Sequence, residues 1–103
     1  MKLTVTGHQI VVTRPQRADI QKKTQRLRRI LNDALLSIQV VVSRERTLTV
    51  CETTVHVRGD QVLHGTGRNR LFSPAVSAAV ARVGLQAQRL ADRWKSRRKG
   101  GAA

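Results

Sequence analysis

Residues Ser73 to Lys99 carry two stripes at helical spacing, and they constrain the fold more than any other stretch of the chain. Val76, Val80, Val83, Ala87, Leu90 and Trp94 step by fours and threes, so they stack along one side of a helix and need an apolar layer to cover. Arg82, Gln86, Arg89, Arg93 and Arg97 step the same way. At about 100° per residue this second stripe lies roughly a third of a turn from the first, facing away from the core. One helix therefore closes the fold and presents a row of guanidiniums. Ser73 is expected to be its N-cap and Pro74 its first helical residue, where the missing N–H costs nothing. Basic residues crowd its last turns, and Gly100-Gly101 is expected to end it.

The preceding residues supply the layer. Lys2 to Thr6 alternates, with Leu3 and Val5 on one face, and predicts a short strand ending at Gly7. Thr13 is a natural N-cap for a helix from Arg14 to Leu31, with Pro15 tolerated in its first turn. Its buried side is expected to be Ile20, Thr24, Leu27 and Leu31, supported by Ile30, with Lys22, Arg26 and Arg29 on the opposite side. Ser37 to Arg44 is rich in β-branched residues and predicts a strand with Ile38, Val40 and Val42 facing one way, followed by a turn over Arg44 to Thr47. Leu48 to Arg58 predicts the longest strand. Its apolar positions change phase between Val50 and Cys51, which predicts a bulge or twist there. A three-residue loop, Gly59-Asp60-Gln61, leads to a last strand, Val62 to Arg68; alternation favours this loop because a two-residue one puts His64 in the core. Arg58 then pairs with Val62, and His56 and His64 sit opposite each other on the outer face. The expected fold is α+β, β-α-β-β-β-α, with a four-stranded sheet and both helices on one face. A chain of 103 residues makes one such domain, residues 1–99, with 100–103 as a disordered tail.

The net charge is +14, which does nothing to help a small protein fold and points to a polyanionic partner. Its placement is informative. Arg14 to Leu31 holds seven basic residues and one acid, and Pro74 to Lys99 again holds seven and one. The strand regions are left near neutral, so a nucleic-acid surface on this chain is helical. A solvated face normally mixes signs, and these two do not. The only aromatic residues are Phe72 and Trp94, so the sheet offers no stacking platform of the kind that reads single-stranded RNA, and backbone and shape recognition are favoured.

Other candidates are weaker. His56 and His64, with Glu52 on the same strand face, suggest a metal site, but an exposed strand pair lacks convergent ligands and second-shell support, and a plain cross-strand histidine pair is expected. His64-Gly65-Thr66-Gly67-Arg68 matches no phosphate-loop spacing; its glycines suit a bend or close packing. Cys51 is alone, which excludes an internal disulfide, and lies on the inward set of its strand. Trp94 belongs to the apolar stripe, so core packing is expected rather than base stacking. No nucleophile-base-acid arrangement stands out. No enzymatic activity, cofactor, metal or small-molecule substrate is expected. The first residues contain no apolar run of signal-peptide length and no segment is able to span a membrane, so a cytoplasmic protein without a membrane partner is expected.

The opening Leu3-Thr4-Val5-Thr6-Gly7-His8, the Thr13-led helix, Thr54-Val55-His56-Val57 before a glycine turn, Leu63-His64, and Ala75-Val76-Ser77-Ala78-Ala79-Val80 together resemble the ribosome hibernation-promoting factors of the ribosome-associated translation inhibitor family. That resemblance implies a fold similar to double-stranded RNA-binding domains. It also implies seating on the small ribosomal subunit and its ribosomal RNA, in the channel used by messenger and transfer RNA. By position, Lys22, Lys23, Arg26 and Arg29, with Arg82, Arg89 and Arg93, fall at or beside family basic positions; Arg97 extends the second row. The chain departs from the family at the start of the last helix, where Arg70-Leu71-Phe72 replaces an acidic residue, a hydrophobic residue and tyrosine. Ser77 stands for a usual Asp, and Gly84-Leu85 interrupts the charged pattern. Without the extra C-terminal domain of long members, any pairing of ribosomes is expected to need a second small dimerising factor. A general double-stranded RNA-binding module, acting away from ribosomes, is the alternative; a small hydrolase built on His56 and His64 is disfavoured because no pocket-forming constellation accompanies them.

Overall fold

Thr13 opens the first helix as its spacing predicts. In the computed structural model, which describes residues 2–102 and the side chains of residues 2–96, its hydroxyl accepts from the Gln16 backbone N–H and Gln16 Oε1 accepts in return from the Thr13 N–H. This reciprocal cap satisfies two amides that a helix start leaves unpaired. Helix α1 spans Arg14–Leu31 and buries Ile20, Thr24, Leu27 and Leu31. It is preceded by strand β1, Lys2–His8, and followed by a single 3-10 turn, Asn32–Ala34. Strands β2 (Leu35–Glu45), β3 (Leu48–Val57) and β4 (Gln61–Asn69) then lead into helix α2, Phe72–Ala102. The sheet order is β1-β2-β3-β4, with β1 parallel to β2 and the other pairs antiparallel.

Alternation decides which face of the sheet is covered. Ile38, Val40, Val42, Cys51, Val55, Val57 and Leu63 are buried and form one cluster with Ile20, Leu27 and Leu31 of α1 and Val76, Val83, Ala87 and Leu90 of α2. Both helices therefore lie on one face, and the order and layering are those expected.

The expected bulge between Val50 and Cys51 is absent; β2 and β3 stay in register from Ser37↔His56 to Glu45↔Leu48. The phase change has another cause. Thr49, not an apolar residue, takes the core position and is buried, while Val50 is buried on the opposite face between Ser43 and Arg68. Arg68 of β4 and Glu45 of β2 reach across β3 to each other at 3.8 Å on the face that Val50 occupies. The bulge lies instead between Leu35 and Ser37, where Leu36 is the extra residue and half of it is exposed.

The β3-β4 loop has three residues, but they are Arg58, Gly59 and Asp60, because Val57 pairs with Gln61. Arg58 leaves the ladder and donates its N–H to the Ala34 carbonyl at 2.8 Å. Gly59 and Asp60 turn the chain with φ of 85° and 58°. The pairing is therefore shifted by two residues from the expected one, and His64 stands opposite Thr54 and His56 opposite Val62 rather than opposite each other.

Helix α2 starts at Phe72, so Ser73 lies inside its first turn and is not its N-cap. Asn69 Oδ1 instead holds the Leu71 N–H at 3.0 Å just before the helix. The helix continues past Gly100-Gly101 to Ala102, since glycine weakens a helix by about 1 kcal/mol without forbidding it. Ala103, and the side chain of Arg97, lie outside the described residues.

Candidate nucleic-acid interface

The two helices are positioned by different devices. Gly65 and Gly67 of β4 let α2 settle onto the sheet: a Cβ at Gly67 would overlap the Ala75 carbonyl oxygen and come within 2.7 Å of the Ala79 nitrogen, and one at Gly65 would come within 2.6 Å of the Ala79 carbonyl oxygen. Ala75 and Ala79, outside the predicted stripe, are fully buried here. A small-residue pair spaced by four, set against glycines spaced by two, was the sequence signal for this approach. Helix α1 is held to α2 by a polar clamp. Lys23 Nζ donates to Asp19 Oδ2 at 2.6 Å and to Ser73 Oγ, whose hydroxyl donates to the same carboxylate oxygen at 3.0 Å. The Lys23 hydrogen bond is the main cause that holds the Asp19 carboxyl below its usual pKa.

The cationic side chains fall on two flanks. Lys22, Arg26 and Arg29 are exposed on α1, and the Arg26 guanidinium lies over Gly84, 3.6 Å from where a Cβ would stand. Gly84 is thus the seat of a cation at the helix seam. On α2, Arg82 Nη1 donates to the Thr66 carbonyl at 2.5 Å, and Gln86 bonds both the N–H and the carbonyl of His64 at 3.2 and 2.6 Å. That stripe therefore lies along the β4 edge. Arg26 is on the other side of α2, so the two rows flank the crest of α2 and do not merge into one stripe. Arg89 and Arg93 continue the β4-side row and are exposed. Among the described residues the ion pairs are Asp19–Lys23 and Glu45–Arg68. Of the predicted binding residues, Lys23 is thus engaged in the helix clamp and Arg82 partly in the sheet edge, while Lys22, Arg26, Arg29, Arg89 and Arg93 make no ion pair among the described residues.

His64 spends its ring nitrogens on Thr54 Oγ1 at 3.0 Å and Thr66 Oγ1 at 3.4 Å, and Glu52 lies opposite Thr66. Among the described residues no three His, Cys, Asp or Glu side chains converge as a metal site. Cys51 is buried, which pushes its thiol pKa up. Trp94 is half-buried; it packs on the core and also lines an open recess of about 590 Å³ with Ile30, Asp33, Arg58 and Lys95. No described helix is long and apolar enough to cross a membrane.

Residues 3–95 match the model of a family described as sigma 54 modulation protein / S30EA ribosomal protein. A ribosome hibernation promoting factor of Azotobacter vinelandii is 30% identical over 73 residues, covering 71% of this chain and 67% of the relative. One of Salmonella typhimurium is 23% identical over 95 residues, covering 92% and 98%. Among solved structures, the N-terminal domain of Thermus thermophilus Protein Y superposes with a TM-score of 0.75 at 27% identity, covering 86% of this chain and 94% of that one. A ribosomal subunit interface protein from Coxiella burnetii shares the fold, with a TM-score of 0.72 at 15% identity, covering 93% and 99%.

Proposed function

The chain belongs to the sigma 54 modulation protein / S30EA ribosomal protein family, and from that membership we propose that it is a ribosome hibernation factor without enzymatic activity. It binds the small ribosomal subunit in the cytoplasm and silences translation sterically. Lys22, Arg26 and Arg29 on one flank and Arg82, Arg89 and Arg93 on the other neutralise ribosomal RNA phosphates, and Arg97 extends the second row. Guanidiniums suit this task because each can bridge two phosphate oxygens and none can lose its charge. The bulk of the domain then occupies space that messenger and transfer RNA need.

The observation that carries this reading is the supply of unneutralised cations along both helices, set on a fold whose relatives bear hibernation-factor names. Charge reversal at both flanks, Arg26→Glu with Arg89→Glu, is expected to abolish co-sedimentation with the small subunit on a sucrose gradient while the far-ultraviolet circular dichroism spectrum stays unchanged. Undiminished co-sedimentation would overturn the proposal. Equal affinity for an arbitrary RNA duplex and for the subunit would favour a general double-stranded RNA-binding module instead.

A further inference from the structure

The core does not absorb Trp94. The residue is half-buried and lines the recess of about 590 Å³ that lies between the C-terminal end of α1, the 3-10 turn, the β3-β4 loop and α2. That size is ordinary for a small-ligand pocket. Its floor is apolar, with Ile30, Leu31, Ala34 and Ala91 beside the indole. At the rim Gly59 carries no side chain, and a Cβ there would meet nothing within 4 Å, so this part of the mouth stays open.

The recess is also charged in a fixed way. Arg58 donates its main-chain N–H to the Ala34 carbonyl at 2.8 Å and its Nη2 to the Asp33 carbonyl at 3.1 Å. Two main-chain acceptors therefore hold the guanidinium at the lining, and most of its donors are left for a ligand. Arg58 makes no ion pair among the described residues. Lys95 adds a second, exposed cation from α2. Asp33 is the one acid of the lining; it leaves the recess net cationic and sets an acceptor near the guanidinium. An apolar ligand would leave both cations unused, and a bare phosphate would leave the indole unused. A planar ring that carries phosphate uses all three.

We propose that this recess binds a nucleotide, with the base stacked on Trp94 and the phosphate held by Arg58 and Lys95. An indole stacks on any base, a guanidinium forms charge-assisted bonds with phosphate, and Asp33 accepts from a base N–H. A free nucleotide and an unpaired nucleotide of an RNA present the same chemistry. The site uses none of the residues assigned to the two helix rows, so it does not depend on the ribosome-binding reading.

Trp94 is the only tryptophan and the chain has no tyrosine, so the intrinsic fluorescence of the full chain reports the site. Adenosine diphosphate is expected to quench it to saturation, with inorganic pyrophosphate competing at least tenfold more weakly because it lacks the base. A hairpin RNA with one bulged adenosine, compared with the same hairpin fully paired, separates the two sources: quenching by the diphosphate assigns a free nucleotide, and quenching by the bulged hairpin alone assigns an RNA nucleotide. Arg58→Gln and Lys95→Gln are each expected to weaken the binding so identified about tenfold, the loss of a charge-assisted bond. Lys22→Gln, the same change of charge outside the recess, is expected to leave diphosphate binding, or the preference for the bulge, unchanged. Trp94→Leu keeps an apolar side chain on the floor and is expected to weaken binding at least tenfold in equilibrium dialysis, with circular dichroism checking the fold. The proposal is overturned if neither the diphosphate nor the bulge acts beyond its control, pyrophosphate or the paired hairpin. It is equally overturned if Arg58→Gln and Lys95→Gln bind as the wild type does, or if Lys22→Gln weakens binding as much as they do.

Discussion

At the scale of single residues, glycine has two roles in this chain that the sequence leaves indistinguishable. At Gly67 the Ala75 and Ala79 backbones stand where a side chain would begin, and Ala78 Cβ is 2.9 Å away; backbone of a packed helix cannot step aside without lifting the whole element. Gly67→Val is therefore expected to cost about 3 kcal/mol or more in urea denaturation, at the upper end of overpacking effects. At Gly84 the nearest neighbour is the mobile end of Arg26 at ordinary contact distance. Gly84→Ala is expected in the same experiment to be neutral or to stabilise by about 0.5 to 1 kcal/mol, the usual helix preference for alanine. The close-packing role of Gly65 and Gly67 was readable as a possibility in a motif that fits no phosphate loop. Which backbone it admits was not readable, because α2 joins β4 only in three dimensions.

At the scale of elements, α1 was legible to the residue, since its cap, its ends and its four buried positions are all local matters of spacing and side-chain hydrogen bonding. The hairpin was legible only in part. Alternation set the faces of β3 and β4, but the register slid by two because Arg58 is drawn to Ala34, a contact 24 positions away in sequence that no local pattern contains. The α2 row behaves likewise: periodicity placed Arg82 and Gln86 on one side, and only the fold turned that side onto the β4 edge. Gln86 there saturates both main-chain groups of His64. Gln86→Leu is expected to destabilise the domain by about 1 to 2 kcal/mol, the loss of two net hydrogen bonds. It should also raise light scattering at high concentration by reopening a pairing edge. A variant that stays as stable and as monomeric as the wild type would show that the contact is incidental.

At the scale of the whole molecule, most of the +14 charge lies in the two helical segments, Arg14 to Leu31 and Pro74 to Lys99, and the strand regions are nearly neutral. Binding dominated by phosphate neutralisation falls linearly in log affinity with log salt, with a slope of roughly 0.7 to 0.9 per phosphate engaged. Removing one exposed cation, as in Arg29→Ala or Arg93→Ala, is expected to lower the salt slope of small-subunit binding by about 1. A slope unchanged by either variant would place that residue outside the interface. The sequence by itself determined the order of elements, the identity of the core stripes and the cationic character of the helices, because periodicity and charge are properties of neighbours along the chain. Only the tertiary structure decided that the two basic rows flank the crest of α2, that Lys23 clamps the helices, and that Gln86 and Arg82 cap main-chain groups of His64 and Thr66 on the β4 edge. Those outcomes depend on which surfaces meet, and that is settled by packing between segments that are remote in sequence.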